Sequence, residues 1–189
     1  NEFHNQGIGV IVDCNMAYME EGLGSFIYYD GTHLLDSGSS SLSNHPDVKC
    51  ALYNFDCKEV RSYLNSTAVY WIKEFHADGL RLKEVASMLY LDYGRTQWVP
   101  NKFGGKENLE AVEFLKHLNS LVEHREDGTM IIAEESTAWP QVTDTPENGG
   151  LGFSMKWNMG WMNDFLSYMK LDPIYRQYHH NSMTFSMMY

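Results

Sequence analysis

KEVRSYLNSTAVYWIKEFHADGLRLKEV, residues 58–85, is the stretch that decides the fold. Over residues 58–75 the apolar side chains Val60, Leu64, Ala68, Trp71, Ile72 and Phe75 recur at helical spacing, which predicts an amphipathic helix with one buried face. His76-Ala77-Asp78-Gly79 ends the helix, with His76 expected to pack at the entrance of the next element. A second strand, from Gly79 to about Val85, is then expected to follow the helix. A helix that feeds a strand through so short a turn is one half of a βα repeat.

The same alternation continues on both sides. Upstream, GIGVIVD at residues 7–13 reads as a buried parallel strand that delivers a carboxylate, Asp13, at its end. Downstream, a loop containing GRTQWVPNKFGG leads to a helix near residues 107–123, with Leu109, Val112, Leu115, Leu118 and Val122 as its buried stripe. TMIIA at residues 129–133 predicts a third strand, ending in Glu134-Glu135. A Pro/Gly/Asn-rich loop, a fourth candidate strand at residues 152–158 and a short helix from near Trp161 follow.

Strands and helices alternating at these intervals specify an α/β fold with a parallel sheet. Carboxylates at strand C-termini narrow this to a partial (β/α)8 TIM barrel, whose active sites are assembled at that end. A complete barrel needs about 250 residues and this chain has 189, so roughly half of one is expected. The two sheet edges left uncovered and a half-lined barrel interior suggest marginal stability or association with a partner. Residues 1–189 are read as one domain, with an irregular region at about 14–56 that includes the serine-rich loop at 37–43.

Composition excludes several classes. With 43% hydrophobic residues and 14% aromatic, the chain can bury a globular core. A formal net charge of -11 argues against nucleic acid or anionic lipid as partner. Cys14, Cys50 and Cys57 match neither a disulfide framework nor a zinc site and read as reduced, cytoplasmic thiols. No signal peptide or membrane-spanning run is expected. His179-His180 lacks a third ligand and adjacent histidines share one ion poorly, so no metal is expected, and no other cofactor.

Five colinear motifs carry a resemblance: DGLRLKEVASMLYLDYGR (78–95), FGGKENLEAVEFLKHLN (103–119), IAEESTAWP (132–140), GLGFSMKWNMGWM (150–162) and DPIYRQYHH (172–180). With GIGVIVD they look like bacterial glycogen branching enzymes of the α-amylase superfamily, over nearly the whole chain and least between Cys14 and Cys57. The resemblance implies strands three to six of an amylase-type catalytic barrel. It also implies an α-1,4-glucan or glycogen partner and transfer of a glucan segment to a 6-hydroxyl by a retaining mechanism. Such chemistry needs a carboxylate nucleophile and a carboxylic acid about 5 Å apart.

Each position can be carried across. Glu134 stands at the general acid/base position, Arg81 at that of the arginine orienting the nucleophile, and Asp13 at that of a substrate-organising aspartate. Tyr18 replaces a sugar-contacting histidine. Lys83 replaces the nucleophilic aspartate itself, because GLRLKEVASMLY here meets GLRVDAVASMLY in the family. An ammonium cannot attack an anomeric carbon as a carboxylate does. Strand alternation would turn neighbouring Glu84 toward the helices unless a bulge intervened, and Glu135 away from the site. Lys83 beside Arg81 is expected to draw Glu134 or Asp13 into an ion pair.

The family's third carboxylate lies in a later motif, beyond Tyr189. Catalysis by this chain alone is therefore expected to be absent or very weak. A non-catalytic glucan-binding module and a decayed gene fragment are the alternatives. Trp98 and Trp139 are candidate sugar-stacking residues, whereas Trp157 and Trp161 are expected to pack.

Overall fold

A computed structural model describes residues 2–20, 22, 26–38, 50–125 and 127–185. The chain folds as two compact units, residues 1–156 and residues 157–189.

The first unit is built on a parallel sheet. After a short helix α1 (Glu2–Asn5) come β1 (Ile11–Cys14), β2 (Tyr18–Glu20), β3 (Cys50–Leu52), helix α2 (Lys58–Phe75), β4 (Gly79–Leu82), α3 (Val85–Leu89), α4 (Leu109–Glu123), β5 (Met130–Ala133) and β6 (Met155–Lys156). Strands β1, β4, β5 and β6 lie side by side in that order, each pair parallel. Sequence order equals spatial order, as in a barrel built by successive βα units. Strands β1 and β6 form the edges among the described residues.

Register decides what each face carries. Val12, Leu80 and Ile131 lie level across the sheet, as do Cys14, Leu82 and Ala133. This face is covered: Leu80, Leu82 and Ala133 have no exposure and sit in one core with Val60, Leu64, Ala68 and Ile72 of α2 and Phe114, Leu115, Leu118 and Val122 of α4. Burying each large side chain contributes about 1.5–3 kcal/mol. The opposite face carries Ile11, Gly79 and Met130 in one row and Asp13, Arg81, Ile132 and Met155 in the next. Ile11 and Met155 are 50% and 52% exposed there, so this inner surface is open.

Several expectations change in detail. Helix α2 has the bounds read from sequence, but Phe75 is exposed and His76, left-handed at φ 55°, caps the helix in solvent instead of packing. In α4 the buried stripe is rotated toward Ala111, Phe114 and Asn119, leaving Leu109 and Val112 partly exposed, because Phe114 packs on Phe55 at 5.3 Å. The region at 14–56 is not wholly irregular, since β2 and β3 pair antiparallel, Tyr18 opposite Leu52. Of the serine-rich loop, residues 39–43 lie outside the described residues.

The predicted strand at 152–158 shrinks to β6. Gly152 is left-handed at φ 81°, and Leu151 and Phe153 donate to the carbonyls of Gln141 and Val142 instead of joining the sheet ladder. At Gly150 an added Cβ would meet the Asp144 carbonyl, so only glycine fits that turn.

In the second unit α5 (Met159–Lys170) is capped by Asn158, whose side chain accepts from the Trp161 N–H at 2.8 Å. Helices α6 (Pro173–Arg176) and α7 (Asn181–Phe185) follow. Arg176 closes the α5 end by donating to the carbonyls of Leu171 and Met169. Trp157 and Trp161, expected to pack, are 42% and 39% exposed, Trp161 stacking on Phe165.

Phe114→Ala should destabilise the chain by about 3–5 kcal/mol and Leu109→Ala by well under half as much. Urea unfolding of the two variants checks this, and equal losses would show that the stripe read from sequence is the buried one.

Candidate functional site

At the C-terminal ends of β1, β4 and β5 the structure brings together three of the residues singled out from sequence. Asp13 and Arg81 are register partners on one face, and Glu134, one step past β5, continues the row of Ile132. Arg81 Nη2 lies 2.6 Å from Asp13 Oδ2 and 3.7 Å from Glu134 Oε2. One guanidinium thus sits between two carboxylates. Its side chain is 18% exposed, against 55% for Asp13 and 22% for Glu134, so solvent screens the Asp13 contact more than the Glu134 contact.

The backbone holds this arrangement. Glu134 N–H donates to the Leu82 carbonyl at 2.9 Å, and the Glu134 carbonyl accepts from Val85 N–H at 3.0 Å. The end of β5 is therefore clamped to both sides of the turn leaving β4.

That turn contains the substituted position. Strand β4 ends at Leu82, earlier than the sequence suggests, and Lys83 N–H closes on the Cys14 carbonyl at 3.2 Å. Glu84 then takes the left-handed conformation, φ 51° and ψ 44°, at the start of α3. Such a conformation costs a non-glycine residue about 1 kcal/mol or more. It is held by Ser87, whose N–H and hydroxyl both donate to the Glu84 carbonyl.

Two consequences depart from the sequence expectation. Alternation no longer governs Glu84, whose carboxylate instead accepts a hydrogen bond from Tyr18. The Tyr18 phenol is raised above its usual range by burial first and by Glu84 second. The cation paired with Glu134 is Arg81, and Lys83 forms no ion pair with another described residue.

Of the two candidate stacking residues, Trp139 is partly buried against the core with its ring edge-on to Tyr90 at 5.3 Å. Trp98 is partly buried in the connection between α3 and α4. Glu135 is turned away from Glu134 as expected, and is fully buried. Its partner Lys156, 2.8 Å away on β6, was not singled out from sequence, because its pairing joins residues 21 positions apart in the chain, one on β6 and the other just past the end of the neighbouring β5. Tyr90 meets the Trp139 ring and has Lys106 Nζ 5.1 Å from its own ring centre. Among the described residues no group of His, Cys, Asp or Glu could hold a metal ion. No helix there is long and apolar enough to cross a membrane.

The parallel sheet, its outer helices and a charge cluster at the strand ends define a segment of an α-amylase-type α/β barrel. A solved structure shares that fold: a noncanonic maltogenic alpha-amylase, AmyB, from Thermotoga neapolitana, with TM-score 0.52 and 12% identity, covering 88% of this chain and 32% of that one. No family model matches the chain.

Within that class the sequence is similar to a segment of 1,4-alpha-glucan branching enzymes. It is 52% identical over 188 residues to 1,4-alpha-glucan branching enzyme GlgB 2 of Rhizobium etli, covering 98% of this chain and 26% of that protein. Identity to GlgB of Cutibacterium acnes is 51% over 191 residues, covering 100% and 30%. Identity to GlgB of a Shewanella species is 53% over 188 residues, covering 98% and 25%. The chain spans about a quarter of the length of the curated relatives it matches.

The thiol ending β1 supplies a titration. Burial pushes Cys14 from 9.0 up to about 11. Between those values the unfolded chain has lost a proton that the folded chain retains, so stability falls as pH rises, by on the order of 2–3 kcal/mol in all. Urea unfolding at pH 8 and pH 11 should show this loss and Cys14→Ala should lack that part of it. Parallel curves for the two proteins would contradict it.

Proposed function

We propose that this chain is the part of a glucan branching enzyme's barrel that grips an α-1,4-glucan across the ends of β1, β4 and β5, with Glu134 as acid/base. One observation carries the proposal: Arg81 stands between Asp13 and Glu134, at 2.6 Å and 3.7 Å, on neighbouring parallel strands. Glu134 would donate a proton to the glycosidic oxygen, and Asp13 would accept hydrogen bonds from sugar hydroxyls while Arg81 holds both carboxylates in place. Trp139 and Trp98 would offer ring faces to the sugars, and Tyr18 a hydroxyl already engaged with Glu84.

The covalent half of a retaining reaction has no agent at Lys83, whose ammonium carries no lone pair for C1. By itself the chain would bind glucan and transfer it very weakly or not at all, with no metal or organic cofactor. The open inner face and the edges that β1 and β6 form among the described residues support association with further strands as the setting in which the barrel is completed. Three free thiols, two of them buried, support a reducing, cytoplasmic setting. The net charge of -11 supports a neutral glucan over nucleic acid as partner.

The intact chain should be retarded in a native gel containing α-1,4-glucan and should leave the iodine colour of amylose unchanged. Trp139→Ala should reduce the retardation several-fold. A chain that is not retarded overturns the binding, and an iodine shift abolished by Glu134→Gln overturns the loss of chemistry at Lys83.

A further inference from the structure

Behind Glu134 the chain buries a second carboxylate that the proposed chemistry does not use. Glu135 has no exposure, and a buried carboxylate persists only with a cation and hydrogen-bond donors around it. Lys156 of β6 supplies the cation, its Nζ 2.8 Å from Glu135 Oε2. The donors come from Thr137, whose N–H reaches Glu135 Oε1 at 2.7 Å and whose hydroxyl donates to the same oxygen.

The ammonium does more than neutralise. It also donates to the Thr137 carbonyl at 3.0 Å, so the N–H of residue 137 is held by Glu135 and its C=O by Lys156. Two residues on, the Trp139 N–H donates to the Thr137 hydroxyl oxygen at 3.3 Å. The Tyr90 hydroxyl lies 3.5 Å from that oxygen, and the Tyr90 ring meets the edge of Trp139. A single cation on β6 thereby holds the start of the loop leaving β5 at two points, residues 135 and 137, between Glu134 and Trp139.

We propose that Lys156 is a positioning residue: through Glu135 and Thr137 it sets the attitude of the loop that carries Trp139, and with it the end of β5 that presents Glu134. The proposal rests on the roles given above to Glu134 and Trp139 in glucan binding. Without the ammonium, Glu135 is buried unpaired and the Thr137 carbonyl loses its donor, so the loop is expected to leave its seat while the core of α2 and α4 stays packed.

The test uses the full chain labelled with 5-fluorotryptophan, giving one 19F resonance for each of its five tryptophans. Trp139→Phe identifies the signal of Trp139, and Trp71, packed against the core, serves as the internal reference. Lys156→Met should shift the Trp139 resonance, leave that of Trp71 in place and weaken retardation by α-1,4-glucan about tenfold. Lys156→Arg, which keeps the charge and the donors, should restore both.

If Lys156→Met unfolds the chain by orphaning the carboxylate, the double variant Glu135→Gln/Lys156→Met removes both charges, and there the Trp139 signal must again move while that of Trp71 stays in place. An unmoved Trp139 resonance in whichever variant is folded overturns the proposal, as does Lys156→Arg behaving like Lys156→Met. A wild-type chain that glucan fails to retard sinks the glucan reading, while the resonances still decide whether Lys156 seats the loop.

Discussion

The site depends on one guanidinium shared between two strand-end carboxylates. Asp13 and Glu134 belong to strands on either side of β4, and Arg81 on β4 lies within ion-pairing distance of both. Two anions converging on one face repel unless a cation stands between them, and a largely covered guanidinium is costly without anions. The requirement is mutual, and parallel register satisfies it by setting Asp13 and Arg81 level and letting Glu134 follow one step beyond β5. A slip of one residue in any of the three strands would send a member of the group into the helix-covered face.

What surrounds that cluster is a set of sharp exits from the sheet. Beyond β4 the chain turns at Lys83 and Glu84, the latter in a left-handed conformation that the Ser87 hydrogen bonds and the Tyr18 contact stabilise. Beyond β5 it leaves the sheet through Glu134 and Glu135, one carboxylate toward the open face and the other buried against Lys156. Backbone strain and buried charge gather where charged side chains project from the strand ends. The two faces of that sheet differ accordingly: the outer one is apolar and closed by α2 and α4, and the inner one is charged and open.

Much of the fold was legible because local periodicity reports local structure. Helix α2 could be bounded to the residue, since its apolar spacing and the His76 to Gly79 stop coincide. Strand ends were less legible: the strand expected to run to about Val85 stops at Leu82, because the chain turns out of the ladder at Lys83 and Glu84 and Val85 already opens α3. The pairing of β2 with β3 joins segments some thirty residues apart, across a stretch without clear alternation, and no local pattern announces it. In α4 the stripe was rotated because Phe114 finds Phe55, a contact between elements.

The sequence by itself determined the alternation of strands and helices, the family resemblance, and the identities of Asp13, Arg81, Lys83 and Glu134 as the residues to watch. These follow from the order of side chains along the chain, which is all that periodicity and motif spacing need. Only the tertiary structure decided which charges meet. It gave Glu134 to Arg81 and not to Lys83, turned Glu84 to Tyr18, and paired Glu135 with Lys156. Those partners depend on strand register and on where each strand stops, and both are fixed by packing between segments far apart in sequence.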